Sequence, residues 1–173
     1  MTFAQMWGEL ARDEVRFVII GGIAAIAQGS VRDTDDLDIC YDPAPDNAAK
    51  LVNILNRWNA RLRTPDGSGG RLPFTIDART FRDSPVLTLD TDLGRFDLMD
   101  QVAGIGDYRA CLAASEEVQQ GPVKLRVLTL EGLIKSKRAA GRQQDQEHLI
   151  ELEALRAIRQ LTAKESAKRR RRP

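Results

Sequence analysis

The chain has 173 residues, 42% of them hydrophobic and 29% charged, with a formal net charge of +1. That size and balance suit one α/β core with a helical extension and exclude general disorder, collagen and coiled coil. No apolar run nears the ~18 residues that span a bilayer, and the acidic N-terminus lacks the basic flank of a signal peptide, so no membrane partner is expected.

In chain order, residues 3–14 read as an amphipathic helix, with Phe3, Met6, Trp7 and Leu10 at helical spacing. Phe17-Val18-Ile19-Ile20 reads as a buried strand ending at Gly21-Gly22, after which IAAIAQ forms a short helix closed by Gly29-Ser30. Residues 36–41 alternate polar and apolar, the period of a strand with one chemical and one core face. PDNAAKLVNILNRWN reads as a helix with Asp46 as N-cap and Leu51, Ile54, Leu55 and Trp58 as its stripe. TPDGSGG is a turn or loop. Strands are expected at Leu72–Ala78, Val86–Leu89 and Arg95–Met99, the last two antiparallel across a tight connection.

From residue 106 the character changes. YRACLAAS reads as helix, VKLRV as a short strand, and LTLEGLIKSKRAA as a helix opening at Thr129 with a half-met capping box. After Gly141 a longer helix is expected from about Arg142 to Leu161. The division that follows is an α/β core over 1–105, a helical part packed on it over 106–163, and a basic, unstructured tail over 164–173. Charge follows the same division. Residues 1–105 hold 11 basic against 16 acidic side chains, and residues 106–173 hold 15 against 9. An acidic half suited to metal ions is joined to a basic half suited to phosphates. Cys40 and Cys111 are distant in sequence and suggest neither a redox pair nor a zinc site, and a reducing cytoplasm is the simplest setting.

Asp36 and Asp38, two apart on a strand, project to one side with Cα atoms roughly 6.5 Å apart, while Leu37 and Ile39 point into the core. Two carboxylates so placed repel unless solvated or bridged by a cation, for which Mg²⁺, with Mn²⁺ as its substitute, is the natural hard ion. Phe96-Asp97-Leu98 repeats the pattern, and Asp97 supplies a third oxygen ligand if its strand lies beside 36–41. A wet D-x-D face without metal is the bland alternative. Gly21-Gly22 allows close backbone approach to a phosphate at a helix N-terminus, although neither G-x-G-x-x-G nor a P-loop lysine is present. Arg32 reaches either a triphosphate or a local salt bridge to Asp33 or Asp35. Lys137 lies at the edge of a packed stripe, either covering the core with its stem or offering charge to phosphate. Arg142 and Asp145, three apart, are placed to pair with each other. His148, the only histidine, reads as a helix-surface residue, and Ser30 has no evident base, which disfavours hydrolase chemistry.

Taken together, Phe17-Val18-Ile19-Ile20-Gly21-Gly22 and then Gly29-Ser30-x-Arg32-x-Thr34-x-Asp36-Leu37-Asp38 resemble the minimal nucleotidyltransferase superfamily, of polymerase-beta-like fold. The likeness is to its branch of abortive-infection-type nucleotidyltransferase toxins and related small proteins. Thirteen residues separate Gly22 from Asp36, in keeping with that signature, and LTLEGLIKSKRAAGRQQDQEHLIELEAL resembles the branch's later pattern. The resemblance implies a mixed sheet flanked by helices and transfer of a nucleoside monophosphate from a nucleoside triphosphate, ATP included, to a hydroxyl acceptor. It implies Asp36, Asp38 and Asp97 as metal ligands and catalytic acids, Gly21, Gly22, Arg32 and Lys137 as the phosphate-binding set, and Thr34, Arg142 and Asp145 as structural support. Gly22 stands where a serine hydroxyl is common, and Gln144 stands where a basic residue is common. An RNA or tRNA end, a protein hydroxyl and a small molecule are all open as acceptor, and an antitoxin or helical protein is implied as partner. Two rival readings are a non-catalytic interaction module that kept the fold and a metal-dependent nuclease.

Overall fold

The computed structural model describes residues 3–64 and 76–170. It begins with α1 (Phe3–Arg12), β1 (Phe17–Ile19), α2 (Gly21–Ala27), β2 (Asp36–Tyr41) and α3 (Pro45–Arg57). After the short β3 (Arg61–Leu62) come α4 (Ala78–Asp83), β4 (Val86–Thr91), β5 (Gly94–Met99), β6 (Gln101–Val102) and β7 (Gly106–Asp107). The chain then forms α5 (Tyr108–Ala113), β8 (Ser115–Gln120), β9 (Val123–Leu128), α6 (Leu130–Ala140) and α7 (Gln143–Arg170).

Seven of the described strands make one mixed sheet in the order β3-β4-β5-β2-β1-β9-β8. β1, an interior strand beside the middle strand β2, has all three residues buried, the pattern of a strand covered on both faces. β1 runs antiparallel to β2 and parallel to β9, and β2 runs parallel to β5. The expected mixed sheet flanked by helices, with a C-terminal helical extension, is what forms. Residues 37, 39 and 41 of β2 point to one face and are all buried. Phe96, the register partner of Leu37, meets Trp58 edge-on at 5.4 Å between ring centroids, and Tyr41 meets Phe81 at the same distance. The opposite face carries Asp36, Asp38 and Cys40.

Several local expectations change. Asp46 does not cap α3: Ala44 is the cap residue and Pro45 starts the helix, while Asp46 binds the Arg16 guanidinium at 2.8 and 2.9 Å. Of the strand expected at Leu72–Ala78, residues 72–75 lie outside the described residues, as do residues 65–70 of the expected loop. Beyond them Asp77 caps α4 through a complete capping box with Thr80, so Ala78 begins a helix. β8 was not foreseen, because its residues Ser-Glu-Glu-Val-Gln-Gln show no apolar alternation. Among the described strands it is an edge strand, paired only with β9.

The part after residue 105 therefore supplies two strands to the same sheet as well as α5, α6 and α7. α7 continues past Leu161 to Arg170, into the stretch expected to be unstructured. Thr129 caps α6 by accepting from the Gly132 N–H, and Gly141 ends it in the left-handed conformation at φ 62°. Cys40 on β2 and Cys111 on α5 are both free and fully buried, and each thiol donates to a backbone carbonyl, Cys40 to Asp100 and Cys111 to Gly106, both at 3.8 Å. Among the described residues no helix is long and apolar enough to cross a membrane.

A three-aspartate candidate metal centre

The parallel pairing of β2 with β5 sets the site. Its register places Asp38 directly opposite Asp97, with Asp36 two residues back on the same face. One carboxylate oxygen from each of the three lies within 4.8 Å of the others, and all three residues are half-buried. Burial, then the charges of Asp36 and Asp97, push the Asp38 carboxyl up to about 7, against the pull of the Gly22 N–H and Lys137. Burial likewise raises Asp97, against the opposing charge of Arg63. Three hard oxygen donors that repel one another at this spacing suit a divalent cation.

Local contacts fix each acid. Thr34 Oγ1 donates to Asp36 Oδ1 at 2.8 Å. The Arg63 guanidinium donates to both oxygens of Asp97, at 3.0 and 3.5 Å, and to the Leu89 carbonyl at 3.2 Å. The two glycines are required by the same acids. Gly21 has φ +60°, and a Cβ there would stand 2.0 Å from Asp38 Oδ2. A Cβ on Gly22 would stand 2.5 Å from Thr34 Oγ1, the atom that holds Asp36. The glycine turn thus lets the start of α2 lie against the carboxylates.

A cavity of about 700 Å³ opens over the acids, and Gly21, Gly22, Thr34, Arg32, Lys137, Arg142 and Asp145 all line it. Arg32 bonds neither Asp33 nor Asp35. It reaches across to α7, with Nε 3.0 Å from Glu151 and Nη2 3.3 Å from Glu147. Glu151 also accepts from the Ser30 hydroxyl at 2.7 Å and from the Val31 N–H at 3.1 Å, tying the loop before β2 to α7. Lys137 Nζ lies 2.6 Å from Asp145 Oδ1, so Asp145 pairs with Lys137 across the turn between α6 and α7. Its link to Arg142 is through the backbone, Asp145 N–H to Arg142 carbonyl at 2.9 Å. His148, partly exposed on α7, lines the cavity as well, and burial followed by Lys137 and Arg32 lowers its pKa.

Arg63 and Glu151 were missed by sequence reading. Arg63 lies 34 positions from Asp97 and reaches it only because β3, β4 and β5 pair in succession. Glu151 lies 119 positions from Arg32. Neither carries a local signal.

No protein-family model matches the chain, and no curated protein matches it in sequence. A crystal structure from Thermotoga maritima, described as that of a "putative nucleotidyltransferase", is similar in fold, with a TM-score of 0.55 over 85% of this chain and 87% of that one. At 18% sequence identity the likeness is one of fold alone.

Proposed function

We propose that this protein is a metal-dependent nucleotidyltransferase: an acceptor hydroxyl attacks the α-phosphorus of a nucleoside triphosphate, the nucleoside monophosphate is transferred to it, and pyrophosphate leaves. The observation that carries the reading is the register of β2 against β5, which gathers Asp36, Asp38 and Asp97 beside the Gly21-Gly22 turn. A divalent ion held by the three acids would neutralise charge on the attacking and leaving oxygens.

The chain's own groups do the rest. Thr34 and the Gly22 N–H orient Asp36 and Asp38 toward the cavity. Gly21 and Gly22 leave room for phosphate at the start of α2. Lys137 and Arg32 offer positive charge on the side facing the acids, and Asp145 and Glu151 hold those cations in place until a polyphosphate shares them. Arg142 stands at the cavity rim. Mg²⁺, or Mn²⁺ in its place, is the proposed ion, with ATP among the candidate donors. The proposed acceptors remain an RNA or tRNA end, a protein hydroxyl or a small molecule. A toxin–antitoxin or defence setting with an antitoxin or helical partner, and a reducing cytoplasm as location, rest on the sequence motifs and cysteine usage.

The test is incubation with each α-labelled nucleoside triphosphate, Mg²⁺, total RNA and cell extract. Label is expected in one class of macromolecule or small molecule and is expected to vanish with D36A/D38A. Undiminished labelling by that double variant would refute the assignment. Cleavage of nucleic acid with no triphosphate added would favour a nuclease instead.

A further inference from the structure

A second cavity, of about 340 Å³, lies against the first and shares Gly21, Asp38, Lys137, Arg142 and Asp145 with it. The two differ in chemistry. The first is lined mainly by charged and polar groups, whereas the second has apolar walls on both sides. One wall continues the metal face of the sheet: one step along β5 from Asp97, the same face carries Met99, whose register partner is Val86. Val86 is a large apolar side chain left 53% exposed by the described residues. The other wall is α6, through Leu133 and Ala140. An apolar slot of this kind, within the range of about 300–1,000 Å³ usual for ligand clefts, suits a flat group with two apolar faces and a polar edge.

A separate observation points to that polar edge. Asp145 is 3% exposed, and its Oδ2 has no hydrogen-bond partner among the described residues, although Oδ1 is taken by Lys137. A buried carboxylate oxygen left without a donor is costly unless a ligand supplies one. It lines both cavities, at the seam where Asp38 also stands.

We propose that the second cavity is the nucleobase subsite of the bound nucleoside triphosphate, with Val86 and Met99 facing Leu133 and Ala140 across the ring and Asp145 Oδ2 accepting an N–H from the base edge. This rests on the function proposed above. It places the triphosphate tail in the polar cavity and the α-phosphate at the seam beside Asp38. Adenine, guanine and cytosine each offer an exocyclic amine and uracil its N3–H to a carboxylate, so Asp145 anchors a base edge.

The test is calorimetric titration, with Mg²⁺ present, of each nucleoside triphosphate and of inorganic tripolyphosphate. The wild-type chain is compared with Ala140→Trp and Val86→Asp. Both positions are exposed at the slot, so either change is compatible with folding. The expected result is that at least one nucleoside triphosphate binds tenfold or more tighter than tripolyphosphate. Both variants are expected to lose that advantage while their tripolyphosphate affinity stays within twofold. Wild-type affinities equal for the two ligands, or nucleotide affinity unchanged in both variants, would overturn the subsite while leaving the phosphate site intact. Failure of both ligands to bind the wild type would overturn the proposed function and the subsite with it.

Discussion

Asp38 carries the largest electrostatic tension in the site, and its consequences are measurable without substrate. Its carboxyl is pushed up to about 7 in the folded chain, by burial first and then by Asp36 and Asp97. The unfolded chain releases that proton near the ordinary Asp value of about 3.9. The stability this group confers is therefore full below pH ~4 and is lost as pH rises through about 7, at up to roughly 1.4 kcal/mol per pH unit. D38N removes that titration, so the metal-free variant should show a smaller fall in Tm between pH 4 and 7 than the wild type, as read by thermal melts in chelator. A cation must displace the same proton, so Mg²⁺ affinity should rise with pH up to about 7 and level off above it. The pattern Asp-Leu-Asp-Ile made the candidate acids legible, because alternation on a strand fixes which side chains share a face. Arg63, which neutralises Asp97, was not legible, since it lies 34 positions away and its place depends on β3, β4 and β5 pairing in succession.

At the level of elements, the glycine turn and the loop before β2 decide how well the acids are held. Gly22→Ala puts a methyl group into the space of Thr34 Oγ1, so Asp36 loses its donor. Its Mn²⁺ affinity should fall on the order of tenfold with the fold intact, the usual size of a lost supporting contact. Glu151→Ala frees Ser30, Val31 and Arg32 together. It should cost about 1–3 kcal/mol in denaturant unfolding and increase proteolytic nicking near the exposed Val31. The helices with clear apolar stripes, α1, α3 and α6, were readable from periodicity. β8 and α4 were not. The first is a polar edge strand, and the second is specified by a capping box rather than by a stripe.

For the whole molecule, the boundary drawn at residue 105 followed composition, whereas the sheet follows pairing. β9 pairs with β1 inside the sheet, so residues on both sides of that boundary form one core. The early part of α7 belongs to the site through Asp145, His148 and Glu151, while Leu161 and the side chains described after it are exposed. Truncation after Ala163 should accordingly leave Tm within about 2 °C of the intact chain, because exposed side chains add little to stability. Helix continuation to Arg170 was hidden by the loss of apolar periodicity after Leu161, although Ala, Lys, Glu and Arg are all good helix formers. The central claim, that three aspartates from two strands hold a divalent ion for nucleotide chemistry, is tested most directly by Mn²⁺ electron paramagnetic resonance titration with and without nucleoside triphosphate. Bound Mn²⁺ should appear for the wild type, tighten when nucleotide is added, and weaken on the order of 100-fold in D36N/D38N. Equal Mn²⁺ binding by the wild type and the double variant would contradict it.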